Sequence, residues 1–114
     1  MYCCIYASGN LEILLHCAQQ FSPLIETHPD MVVFDARGLE GLHGPPESLA
    51  AAVERAVGIR ANIAIASNPD AAVHAARGIA GVTVIPAGRE GAVLAPLPLH
   101  LLGRLGQQDV RRPD

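Results

Sequence analysis

The sequence predicts an α/β fold of the α+β kind, in which helices pack on a mainly antiparallel sheet. Half of its 114 residues are hydrophobic and only 4% are aromatic, so the core must be built mainly from closely packed Ala, Val, Ile and Leu. Short β-prone runs alternate with segments of helical periodicity along the chain. Prolines, glycines and asparagines stand between these segments and favour turns and helix ends. A chain of this length has room for one domain.

Composition limits the function classes. The apolar runs fall short of the roughly 18 residues that a membrane span needs, and the N-terminus lacks the pattern of a signal peptide, so a cytoplasmic protein is expected. All eight basic residues are arginines, and the formal net charge is −3. Because phosphate neutralisation supplies most of the affinity for duplex DNA, weak or no autonomous DNA binding is expected.

The N-terminal third predicts a strand, a helix and a hairpin. The run "YCCIYA" (2–7) is a first strand, and helical spacing of apolar residues begins at Leu11, with Asn10 expected to accept N-cap hydrogen bonds. Ser22-Pro23 ends this helix. Two further strands, 24–28 and 31–35, are separated by a Pro-Asp turn and form an antiparallel hairpin.

The rest of the chain predicts two helices, each followed by a strand, and a last short helix. The segment "PPESLAAAVERAVG" has prolines at its start and Gly58 at its end, and "SNPDAAVHAARG" has the same pattern and stops at Gly78. The strands are "RANIAIAS" and "GVTVIP", and "GREGAVLAPLPLHLLG" is the short helix. The resulting order is a ferredoxin-like βαββαβ unit with an added α-β-α extension and helices on one face of the sheet. We expect one domain over residues 1–102 and a flexible tail over 103–114.

Asp30, in the hairpin turn, is the candidate metal ligand of the sequence. Mg²⁺ prefers carboxylate oxygens, but a two-metal site needs several acids from neighbouring strands. The first strand has no acid, the next residue is Met31, and Asp35 projects away from Asp30. Asp30 is therefore expected to be a turn residue, and Asp35 a strand-end residue that bonds local backbone.

Other candidate groups favour structural roles. The five histidines show no metal-ligand spacing on a common element, so no zinc site is expected. Cys3, Cys4 and Cys17 are expected to be buried thiols rather than a disulfide framework, and a catalytic cysteine is the alternative. The glycine-rich stretch "GLEGLHGPPE" lacks a complete phosphate-binding motif and is expected to be a plain loop.

Several motifs in one order resemble a known family. These are the hairpin, the exit "GLEGLHGPPESLA", the strand "NIAIASNPDAA" and the segment "GVTVIPAGREGAVLAPLPLHLL". Over residues 11–102 the chain resembles the palm of Y-family (translesion) DNA polymerases, most closely their degenerate ImuB-like branch. In that family an Asp on the first strand and an Asp-Glu pair on the hairpin hold two metal ions.

The resemblance implies a lost active site. Asp30 falls on the hairpin Asp, Met31 on the Glu, and the acid-free stretch 3–6 on the first Asp. Pro69 and Val73 fall where active members carry lysines that reach the triphosphate. Only four residues separate Tyr6 from Leu11, where active members insert a fingers subdomain.

The resemblance therefore implies a catalytically inactive palm with a structural or adaptor role in DNA repair or translesion synthesis. Expected partners are DNA-repair proteins such as an error-prone polymerase or the sliding clamp. No cofactor is expected, and enzymatic activity stays open, with inactivity preferred. One alternative is a residual nucleotidyltransferase with Mg²⁺ at Asp30; another is a regulatory domain that binds a small molecule, for which a homodimer is an option.

Overall fold

A computed structural model describes residues 1–89 and 91, and it shows five strands and four helices in that part of the chain. The elements are β1 (Tyr2–Tyr6), α1 (Leu11–Gln19), β2 (Ile25–His28), β3 (Met31–Asp35), α2 (Glu40–His43), α3 (Pro46–Val57), β4 (Asn62–Ala66), α4 (Pro69–Gly78) and β5 (Val82–Val84). The predicted tail and most of the predicted last helix lie outside the described residues.

The strands form one sheet in the order β2-β3-β1-β4-β5. Neighbours are antiparallel from β2 to β4, and β5 runs parallel to β4. The first four strands with α1 and α3 are the predicted ferredoxin-like βαββαβ unit, and α4 with β5 extends it. The predicted α+β fold class is confirmed.

The two faces of the sheet bury separate cores. On the first face α1 and α3 cover Cys3 and Ile5 of β1 and the isoleucines of β4. On the second face α4 covers Cys4 of β1 and the alanines of β4. The residues alternate because successive strand side chains point to opposite faces. The prediction of helices on one face holds for α1 and α3 and is wrong for α4.

The position of α4 follows from an unusual crossover. Strands β3, β4 and β5 are parallel to one another and follow in one direction across the sheet, yet α3 and α4 lie on opposite faces. The β4-α4-β5 connection therefore has the opposite hand from β3-α3-β4. Because crossovers almost always share one hand, the usual rule places both helices on one face. Here α3 already covers the first face of β4, and Ala64 and Ala66 leave room for an alanine-rich helix on the second.

The helix ends agree with the sequence at most positions. The Asn68 side chain accepts the N–H of Ala71 at 2.8 Å as the N-cap of α4, and Gly58 ends α3 with a positive φ of 70°. At α1 the expected cap bond is missing, because the Asn10 amide donates instead to the Ser8 carbonyl at 3.0 Å. The short helix α2 lies in the stretch expected to be a plain loop. No helix in residues 1–89 and 91 is long and apolar enough to cross a membrane.

Candidate functional site at the hairpin turn

The β2–β3 turn lies beside the C-terminal end of β1. His28 pairs with Met31 across the two-residue turn, and Tyr6 pairs with Met31 on the other side of β3. The register thus brings together Asp30, Met31 and the acid-free first strand, the three positions that the resemblance assigns to the metal site.

Asp30 supports the connection from β1 to α1. Its carboxylate oxygen Oδ1 accepts the Gly9 N–H at 3.2 Å, and its backbone carbonyl accepts the Ala7 N–H at 3.0 Å. Gly9 has a φ of 78°, a left-handed conformation that favours glycine. Asp30 lies in the turn, as predicted, and its side chain has a structural partner that the sequence did not reveal.

Met31 is sealed in the second-face core. Its exposed fraction is 2%, and its Sδ lies 3.8 Å from the Sγ of Cys4, which is fully buried. Burial raises the pKa of the Cys4 thiol, and the positive charge of Arg77 offsets only part of that rise. The position that the resemblance assigns to a catalytic glutamate thus holds a neutral thioether in contact with a neutral thiol.

These residues do not fit a two-metal site. Mg²⁺ binds hard oxygen ligands, whereas Cys4 and Met31 offer soft sulfur atoms. Among residues 1–89 and 91, no three His, Cys, Asp or Glu side chains are placed to hold one metal ion. Metal binding by Asp30 stays a prediction.

The start of α4 also lacks charged side chains at two positions where the resemblance implies them. Pro69 is exposed in the first turn, and Val73 is only 6% exposed because it packs in the second-face core. These are the positions where the resemblance implies lysines that contact a triphosphate. The helix uses them to begin and to pack on the sheet.

Asp35 forms a local ion pair at the end of β3. Its Oδ1 accepts the backbone N–H of Arg37 at 2.9 Å, and its Oδ2 lies 2.7 Å from the Arg37 guanidinium. The backbone hydrogen bond, followed by the bond and charge of that guanidinium, lowers the pKa of Asp35. The predicted local backbone contact is confirmed.

The other two cysteines are also buried free thiols, as predicted. Cys3 and Cys17 lie in the first-face core, and burial raises the pKa of both thiols. The contact between Cys4 and Met31 was missed, although the period-two alternation of β1 and β3 could have placed both side chains on one face.

Comparisons with known proteins give a distant sequence similarity. No family model and no solved structure matches the chain. The chain is similar to the DNA polymerase IV proteins of Dehalococcoides mccartyi strains BAV1 and CBDB1, at 29% identity over 118 residues. Each match covers 91% of this chain, which spans only 30% of the length of these relatives. This similarity supports a distant, Y-family polymerase-like relation for the chain.

Proposed function

We propose that this chain is a catalytically inactive polymerase-like palm that serves as a structural adaptor in DNA repair or translesion synthesis. The observation that carries the proposal is the buried contact between Cys4 and Met31 at 3.8 Å beneath α4. Phosphoryl transfer depends on positioned charges that neutralise the phosphates. A dry pair of uncharged sulfur side chains at this place cannot supply them.

The adaptor role rests on the resemblance to the ImuB-like branch and requires a surface for partner proteins. Leu42 in α2 is 82% exposed, the highest value among the large hydrophobic side chains of the described residues. Large apolar anchors often dominate the affinity of protein interfaces. Leu42 is therefore the contact to test first.

Primer extension tests the loss of catalysis. The purified chain is incubated with a primed template and deoxynucleoside triphosphates in Mg²⁺ or Mn²⁺ buffer, with an active DNA polymerase IV as the positive control. We expect no template-directed incorporation. Incorporation that Asp30→Ala abolishes would instead establish the residual nucleotidyltransferase.

Biolayer interferometry tests the adaptor role, with the sliding clamp and an error-prone polymerase of the source organism as immobilised probes. We expect binding to at least one probe, weakened about tenfold by Leu42→Ser. Glu54→Ser, an exposed change on α3, is the matched control and should leave binding unchanged. No binding to either protein contradicts the adaptor role.

A further inference from the structure

Among residues 1–89 and 91, no strand pairs with the outer edge of β2, so this edge carries unpaired backbone groups in a defined pattern. The Asp35 N–H donates to the Leu24 carbonyl at 3.2 Å, and His28 closes the two-residue turn opposite Met31. Hydrogen-bonded and open positions alternate along an antiparallel pair. Ile25 and Thr27 therefore direct their N–H and C=O groups away from β3, along the free edge of the sheet.

This edge is exposed and short. Leu24 is 65% exposed, and Glu26 and Thr27 are exposed as well. Open edges invite pairing with another strand. Pro23 and Pro29 flank β2 and limit any added pairing to about five residues, because proline cannot donate to a ladder. Such an edge suits one partner strand and disfavours extended aggregation.

We propose that β2 pairs antiparallel with β2 of a second copy, in the register centred on Thr27. This register sets Glu26 opposite His28 of the partner subunit, and the twofold axis repeats the pair. The register centred on Glu26 sets two carboxylates opposite each other, which is destabilising. The charge pattern of the strand is thus complementary to itself in one register.

The backbone is compatible with this register, and the charge pattern selects it. The outward N–H and C=O groups of Thr27 let the two Thr27 residues exchange both N–H···O=C hydrogen bonds at the twofold axis. Within one chain Glu26 already lies 3.3 Å from His28. The four side chains then alternate in charge across the dimer when histidine is protonated. The two five-stranded sheets become one continuous sheet.

Sedimentation velocity tests the dimer over a concentration range of about 5 to 500 μM, because a contact this small is expected to be weak. We expect a mass that rises from monomer to dimer. Thr27→Pro removes an outward N–H and no bond to β3, so it should leave a folded monomer; circular dichroism checks the fold. A chain that is monomeric over the whole range overturns the proposal.

Charge reversal tests the register without relying on proline. Glu26→Arg sets arginine opposite His28 of the partner subunit and should weaken the dimer about tenfold. Adding His28→Glu should restore it. Glu54→Arg makes the same change in net charge at an exposed position of α3 and should have no effect on the dimer. Equal effects at Glu26 and Glu54, or no rescue, contradict this register. The dimer does not depend on the proposed adaptor function, so either can fail alone.

Discussion

At the hairpin turn, Asp30, which the resemblance assigns to a metal ligand, has a structural role. The Asp30 carboxylate accepts the N–H of Gly9, two residues before α1 begins. Only four residues, 7–10, join β1 to α1, so this hydrogen bond fixes the path of a very short connection. Asp30 thus has a structural role that does not depend on a metal ion.

Replacement of Asp30 should lower stability. Asp30→Ala removes the acceptor of the Gly9 N–H and should reduce the free energy of unfolding by about 1 kcal/mol. Asp30→Asn keeps an oxygen acceptor and should lose less than half of that. Urea denaturation measures the free energy of unfolding of both variants, with Glu54→Ala at an exposed position of α3 as the control. An unchanged urea midpoint for Asp30→Ala would refute the structural role.

Asp35 should make stability depend on pH on the acid side. Its pKa in the folded chain lies below the ordinary carboxyl value of 3.8, so the unfolded chain binds more protons in that range. The stabilisation is present above 3.8 and is lost as the pH falls through the lowered pKa. Melting temperatures between about pH 2 and 6 should fall less steeply for Asp35→Asn than for the wild type. An identical slope in the two proteins would argue against this contribution.

At the level of elements, α4 covers the sheet beside the hairpin turn. Its inward face consists of Ala and Val side chains that pack against Cys4 and Met31, so the second face of the sheet is closed over these residues of β1 and β3. Small side chains allow close approach of helix and sheet, and close packing leaves no room for hydrated ions.

Met31→Glu tests whether α4 seals this position. A glutamate here buries a carboxylate among the apolar side chains of the second-face core and should cost about 3 to 5 kcal/mol of unfolding free energy. Met31→Leu keeps the volume and should cost less than about 1.5 kcal/mol. Urea unfolding compares the two, and Met31→Gln separates charge from shape. If Met31→Glu were as stable as Met31→Leu, the position would be open to water and α4 would not seal it.

At the scale of the whole molecule, one sheet joins two cores. Strands β1, β3 and β4 contribute side chains to both faces, so loss of either core weakens the strands that hold the other. The three buried thiols report on this coupling, because Cys4 lies in the second-face core and Cys3 and Cys17 lie in the first.

The thiols should become reactive only when the whole domain opens. Reaction with a chromogenic aromatic disulfide, followed for each cysteine by mass spectrometry, should be slow for all three and agree within about threefold. In urea beyond the unfolding transition all three should react at once. Much faster reaction of Cys4 would mean that α4 opens separately. A fast reaction of any thiol in the native protein would favour the alternative of a catalytic cysteine.

Most elements could be predicted because their signals are local. Pro69 and Gly78 bound α4, and the Pro29-Asp30 pair closes the hairpin, through backbone preferences that act within a few residues. The cap at Asn10 failed because its side chain had a competing local acceptor, the Ser8 carbonyl. The positions that the resemblance assigns to a metal site were likewise chosen by their order along the chain, and their metal-binding role stays a prediction.

The sequence by itself determined the order of strands and helices apart from α2, the hairpin, and the uncharged character of Met31 and the first strand, because periodicity and side-chain chemistry are properties of neighbouring residues. Only the tertiary structure decided that α4 lies on the second face, that Cys4 contacts Met31, that Asp30 binds Gly9 and that β2 is an open edge. These features depend on strand register and on the hand of one crossover. Both are set by packing between residues far apart in the chain, which local patterns do not encode.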